Sequence, residues 1–99
     1  MKIEKGIDKK IKEALTGSVT DVSVRVSGRI INIAITVSND VSKDAAKSYA
    51  NNALDFFTTE EKSYYDFQFY LQKDGKTQDF PIIGYRIQNS EKITWTKDR

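Results

Sequence analysis

The stretch VTDVSVRVSGRIINIAITV, residues 19–37, decides the fold. Val22, Val24 and Val26 alternate with Ser23, Arg25 and Ser27; after a break, Ile31, Ile33, Ile35 and Val37 alternate with Asn32, Ala34 and Thr36. A period of two is that of a strand with one buried face, so each arm reads as β. Gly28 and Arg29 fit a two-residue turn in which glycine supplies the positive φ of the first position. That turn sets Val26 opposite Ile31, Val24 opposite Ile33 and Val22 opposite Ile35. A slip of one residue would place valines against Asn32 and Ala34, so side-chain pattern and turn specify the same register.

On the N-terminal side, Ile3, Ile7, Ile11, Ala14 and Leu15 fall on one stripe of a helix over 2–15, with Lys5, Asp8, Lys9, Lys12 and Glu13 facing away. Gly17 is placed to end it in a left-handed cap. The lysines are interspersed with Glu4, Asp8 and Glu13, which marks a solvated face rather than a membrane-seeking one. No capping residue precedes this pattern, and the expectation is that Met1 replaces an upstream segment.

On the C-terminal side, Ser38, Asn39 and Asp40 form a turn, and Ser42 or Asp40 caps a second helix reaching about Phe57. Ala45, Ala46, Tyr49, Ala50, Ala53, Leu54 and Phe57 mark its buried side. Thr59, Glu60, Glu61 and Lys62 begin another helical turn that soon gives way to a strand from Tyr64 to Leu71, with Phe67, Phe69 and Leu71 on one face. Asp74–Gly75 then predicts a second hairpin pairing Phe69 with Phe80 and Phe67 with Ile82. Pro81 cannot donate to a ladder, so it marks an edge or a strand start. Beyond it, apolar residues move from even positions (Phe80, Ile82) to odd ones (Tyr85, Ile87, Ile93, Trp95), which predicts a bulge at Gly84. A loop through Asn89, Ser90 and Glu91 leads to a short last strand with Tyr85 against Trp95.

Ninety-nine residues, 38% of them hydrophobic, suit one domain over 1–99. The expected architecture is α+β, a two-layer sandwich with an antiparallel sheet of four or five strands and two helices on one face, in the order α-β-β-α-β-β-(β). The segment from Ile7 to Leu54 resembles the bacterial BON module, a helix, a glycine-turned valine-rich hairpin and an alanine-dense helix, through VSVRVSGRIINIAITVS and DAAKSYANNAL. It departs from that pattern at Ala34 to Val37, where such modules place a second glycine. The resemblance covers about half the chain and implies a cell-envelope role. It transfers no functional residue.

Cysteine and histidine are both absent. Disulfides, thiolate chemistry and the commonest general base near neutral pH are thereby excluded, and a zinc or copper site would have to be built from carboxylates alone. With 16 basic and 14 acidic side chains the formal charge is +2, too small a field to gather nucleic acid or an anionic membrane. Arg25, Arg29, Arg86, Lys92, Lys97 and Arg99 are diluted by acids, and no glycine-rich phosphate loop is present. The acidic pairs Glu60–Glu61 and Asp40–Asp44 read as helix-start charges, since neighbouring carboxylates in a helix do not face one another across a cleft. Asn39, Asp40 and Asp44 lack the ordered spacing of a calcium loop. No cofactor is expected, no run of roughly 20 apolar residues spans a membrane, and an enzyme is not expected.

The feature left over is aromatic. Tyr64, Asp66, Gln68 and Tyr70 alternate against Phe67 and Phe69, and Tyr85 joins them on a face that two helices cannot also cover. Exposed tyrosines are frequent in binding surfaces, so these five residues are the expected partner-binding set. The expected function is a non-enzymatic interaction or assembly module, the soluble part of an envelope-associated or secreted protein; the alternative is a small enzyme or ligand-binding domain built on carboxylates and tyrosines. A protein partner, and a monomer or weak dimer, are expected. The compartment is open: envelope or extracellular if an anchor or signal once preceded the chain, cytoplasmic otherwise.

Overall fold

A computed structural model of the chain describes residue 3, residues 5–15, 17–73 and 75, and residues 81–97. The elements run α1 (Ile7–Ala14), β1 (Val19–Ser27), β2 (Ile30–Val37), α2 (Lys43–Leu54), α3 (Thr59–Tyr64), β3 (Asp66–Lys73), β4 (Ile82–Arg86) and β5 (Thr94–Lys97). The strands form one sheet in the order β1-β2-β3-β4-β5. The fold is α+β, as the sequence predicts.

The first hairpin has the expected register: Val26 faces Ile31, Val24 faces Ile33 and Val22 faces Ile35, and Gly28 takes φ 60 in the turn. The next strand differs from an all-antiparallel plan. β3 lies beside β2 in the same direction, Ile31 opposite Phe67, Ile33 opposite Phe69 and Ile35 opposite Leu71, so the sheet is mixed. Two adjacent parallel strands need a crossover of a dozen or more residues, and α2 with α3 supplies it. The strand signal at Ile33 and Phe69 is the same for either direction. The connection decides.

Each helix start has a local cause. Ser42 caps α2, its Oγ accepting from the Ala45 N–H at 3.1 Å. Thr58, one residue before the expected cap, starts α3 in a reciprocal box: its Oγ1 accepts from the Glu61 N–H at 3.0 Å while Glu61 Oε1 accepts from the Thr58 N–H at 2.7 Å. This third, short helix holds Tyr64 out of β3, which begins two residues later than the alternation predicts.

The core lies between the helices and one face of the sheet. Ile7 and Ile11 from α1, Leu15 just after it, and Ala46, Ala50, Ala53 and Leu54 from α2, are buried together with Ile31, Ile33, Ile35, Phe67, Phe69, Leu71 and Ile82. Small alanines let α2 approach the sheet closely, and Phe57 fills the end of the layer edge-on to Phe67, ring centroids 5.0 Å apart.

The second hairpin corrects two expectations. Leu71 faces Ile82, Phe69 faces Gly84 and Phe67 faces Arg86, so Phe67 is not paired with Ile82 and the connection is longer than an Asp74–Gly75 turn. Phe80 and Asp74 themselves lie outside the described residues. In addition, Ile82, Gly84 and Arg86 all face the core, so β4 keeps its phase through Gly84. The register irregularity falls on the β4–β5 side instead: Ile83 faces Lys97 but Gly84 faces Trp95, leaving one extra residue in β5. Trp95, not Tyr85, occupies the core side there, with Tyr85 opposite Thr94. Pro81 stands just before the first residue of an interior strand; the two edges are β1 and β5.

Candidate functional site

The uncovered face of the sheet carries the opposite set of side chains. Reading across the strands, Ser23, Ala34, Tyr70 and Ile83 make one row, and Arg25, Asn32, Gln68, Tyr85 and Thr94 the next. Tyr70 and Tyr85 are 39% and 40% exposed, and Ile83, directly opposite Tyr70, is half-buried between them. Neighbouring residues on one sheet face lie close enough for their side chains to touch, including along the Tyr70–Tyr85 diagonal. The result is a small apolar centre of two rings and one isoleucine. Asn32, Gln68, Thr36 and Gln72 frame it with neutral polar groups, and Gln72 Nε2 donates to Thr36 Oγ1 at 3.0 Å.

Of the five expected partner-binding residues, the structure gathers Gln68, Tyr70 and Tyr85 on this face. Asp66 lies on it at the far end, where its Oδ1 accepts from the Gln88 N–H at 2.8 Å and so ties β3 to the turn after β4. Tyr64 is elsewhere. It ends α3, packs edge-on to Tyr65 at 4.8 Å and lies under the Arg29 guanidinium, 4.4 Å from ring centroid to Cζ. Helix capping at Thr58 extends α3 far enough to take Tyr64 off the strand.

The carboxylates behave as helix and loop fastenings. Glu61 closes the α3 cap, and Asp44 sits in the first turn of α2. Asp40 accepts from Ser38 Oγ at 2.7 Å, a bond that holds its carboxyl below the usual value, with its backbone N–H and Lys73 adding to the effect. Asn39 uses its Oδ1 on the Gly75 N–H at 2.8 Å and its carbonyl on Lys73 Nζ at 3.0 Å. Among the described residues no three acidic groups converge as a metal site would require. No helix among them is long and apolar enough to cross a membrane.

A second feature, not anticipated as a site, is a cleft of about 560 Å³ where the end of α2, α3 and the β4–β5 turn meet, lined by Asn51, Asp55, Lys62, Ser63, Arg86 and Ser90 among others. Arg86 is 8% exposed and is the one buried charged residue among those described. A phase flip at Gly84 would have pointed it to solvent; a register carried straight from Leu71–Ile82 points it inward. A shallower depression by Thr59, Glu60, Ser63 and Tyr64 lies on the α3 surface.

Comparison with models of known families, with curated proteins and with solved structures finds no match.

Proposed function

We propose that this domain is a non-enzymatic interaction module whose open sheet face receives a protein partner. The observation that carries the reading is the Tyr70–Ile83–Tyr85 cluster, two exposed rings beside a half-buried isoleucine on the open face of a five-stranded sheet, with polar residues around them. Binding surfaces are built this way: an aromatic centre that is desolvated on contact, and a polar rim. A rigid sheet presents the rings with little ordering cost on association. The sequence resemblance of Ile7 to Leu54 to BON modules supports the compartment part of the proposal, a soluble portion of an envelope-associated or secreted protein.

The test is site-specific photo-crosslinking in the native host, with the reactive group placed at Gln68 on the open face and, separately, at Lys12 on the outer side of α1. The reading predicts a discrete adduct from position 68 that disappears when Tyr85→Ala is added. Equal labelling from both positions, or an adduct indifferent to Tyr85→Ala, would contradict it.

A further inference from the structure

The cleft beneath α2 and α3 has the electrostatics of a ligand site. Arg86 reaches it from β4, and burial alone drives its guanidinium pKa below the ordinary value, since no counter-charge offsets the lost hydration. Among the described residues it makes two contacts: Nη1 donates to the Lys62 carbonyl at 3.0 Å, and the guanidinium lies over the Phe67 ring with Cζ 5.8 Å from the centroid. A guanidinium has five N–H donors and stays charged at any ordinary pH. Four of those donors therefore lack a protein acceptor among the described residues. A buried guanidinium with most of its donors unmet by protein is costly, and an unmade hydrogen bond to a charged group is among the more expensive omissions in a folded chain.

The rest of the lining matches that need. Lys62 adds a second cation, while Asn51, Asn52, Ser63, Asn89 and Ser90 supply amides and hydroxyls that both donate and accept. Asp55 and Glu91, both exposed, also line the cleft, so its acids stand toward solvent and its buried charge is positive. That polarity selects against polyanions and favours a small molecule with one oxyanion, with or without an amino group. We infer that the cleft binds a small molecule through a single carboxylate or phosphate group paired with Arg86. The planar guanidinium fork suits either oxyanion. The site is independent of the open sheet face, because Arg86 points to the helix side of β4 and Tyr85 to the other.

The experiment is an NMR titration of the full chain, labelled with ¹⁵N, using inorganic phosphate in one arm and glycine in the other at constant ionic strength. The expected result is a saturable shift of the Arg86 Nε–H signal, together with the Asn51, Ser63 and Ser90 amides, in at least one arm; the arm that saturates at lower concentration distinguishes phosphoryl from carboxylate ligands. Arg86→Gln should weaken the dissociation constant by about tenfold to a hundredfold, the loss of one charge-assisted pairing. Lys62→Met keeps the main-chain carbonyl that Arg86 uses and should weaken it severalfold, which preserves the test if Arg86→Gln does not fold. Gln68→Ala, on the far face, should leave binding unchanged. Shifts that never saturate in both arms, or saturable shifts with the same midpoint in Lys62→Met and any folded Arg86 variant, would overturn the inference.

Discussion

Gly84 is the floor on which Trp95 rests: a Cβ at position 84 would stand 2.4 Å from Trp95 Cε3 and 2.6 Å from Cζ3. Gly84 is also the residue opposite Phe69, so its missing side chain lets the indole of β5 cross β4 and approach the Phe69 ring, 6.3 Å between centroids. Lys47 of α2 closes over the other side, its Nζ 5.7 Å from the indole. The last strand is thereby fastened to the core.

Gly84→Ala should therefore destabilise the domain by about 1–3 kcal/mol, the usual cost of forcing extra volume into a packed site. The sequence has one tryptophan, so its emission reports this contact directly. Chemical denaturation followed by fluorescence should show both the lower midpoint and a more solvent-exposed folded-state spectrum. An unchanged midpoint would mean that β5 does not depend on the contact.

The centre of the core is Ile33, 1% exposed, between Val24 and Phe69. Ile33→Ala should cost about 2–5 kcal/mol, and Ile33→Asp, which buries a carboxylate with no partner, should abolish cooperative folding. Circular dichroism with thermal melting checks both. A cooperative Ile33→Asp transition near that of the parent chain would contradict the core assignment.

Where side-chain period and turn chemistry agree, the fold was legible in advance. Val22 to Val37 specify their own register, and the alanine stripe of α2 appears as expected, with Ala46, Ala50 and Ala53 buried. Three features were not legible, each because a non-local contact decides it. Parallel pairing of β2 with β3 depends on the crossover. Tyr64 reads as a strand residue until the Thr58–Glu61 box is seen to carry α3 through it. The inward turn of Arg86 was hidden because Trp95 and Tyr85 share an odd-numbered pattern with opposite burial, which placed the bulge within β4 at Gly84 when the extra residue at that step lies in β5 and Gly84 is a close approach. On the open face, the alternation of β3 placed Gln68 and Tyr70 together, and the register of β4 sets Tyr85 beside them.

The Ser38–Asp40 bond gives a pH dependence of defined sign. The Asp40 carboxyl titrates below its ordinary value of 3.8, mainly through the Ser38 hydroxyl. A carboxyl depressed in the folded state contributes stability that is present above the unfolded-state value and is lost as pH falls through the folded-state one. Ser38→Ala should raise the Asp40 pKa toward 3.8 and flatten the stability profile in that acidic window. Carboxyl ¹³C titration of the folded protein measures the first effect. An Asp40 titration unchanged in Ser38→Ala would show that the hydroxyl is not responsible.

Self-association is governed by the two free edges. β5 is short, and β1, the longer edge, is interrupted by a register irregularity between Val19 and Asp21 and carries the charged Asp21 and Arg25, features that discourage strand addition. Val26, 48% exposed at its far end, is its apolar weak point. The prediction is a monomer, or a weak dimer, at micromolar concentration. Sedimentation equilibrium showing a tight oligomer would contradict it, and loss of that oligomer in Val26→Lys would assign it to β1.

The central claim, that the open face of the sheet binds a protein, is tested most directly by Tyr70→Ala, with the melting temperature and the affinity for the protein crosslinked at position 68 measured on the same sample. Tyr70 is exposed and lies on the face away from the helices, so truncation should change stability by less than about 0.5 kcal/mol. As an interface anchor it should cost about 2 kcal/mol or more of binding, roughly thirtyfold in the dissociation constant. A folded Tyr70→Ala protein that binds its partner as tightly as the parent chain, or a variant whose fold collapses, would contradict the account.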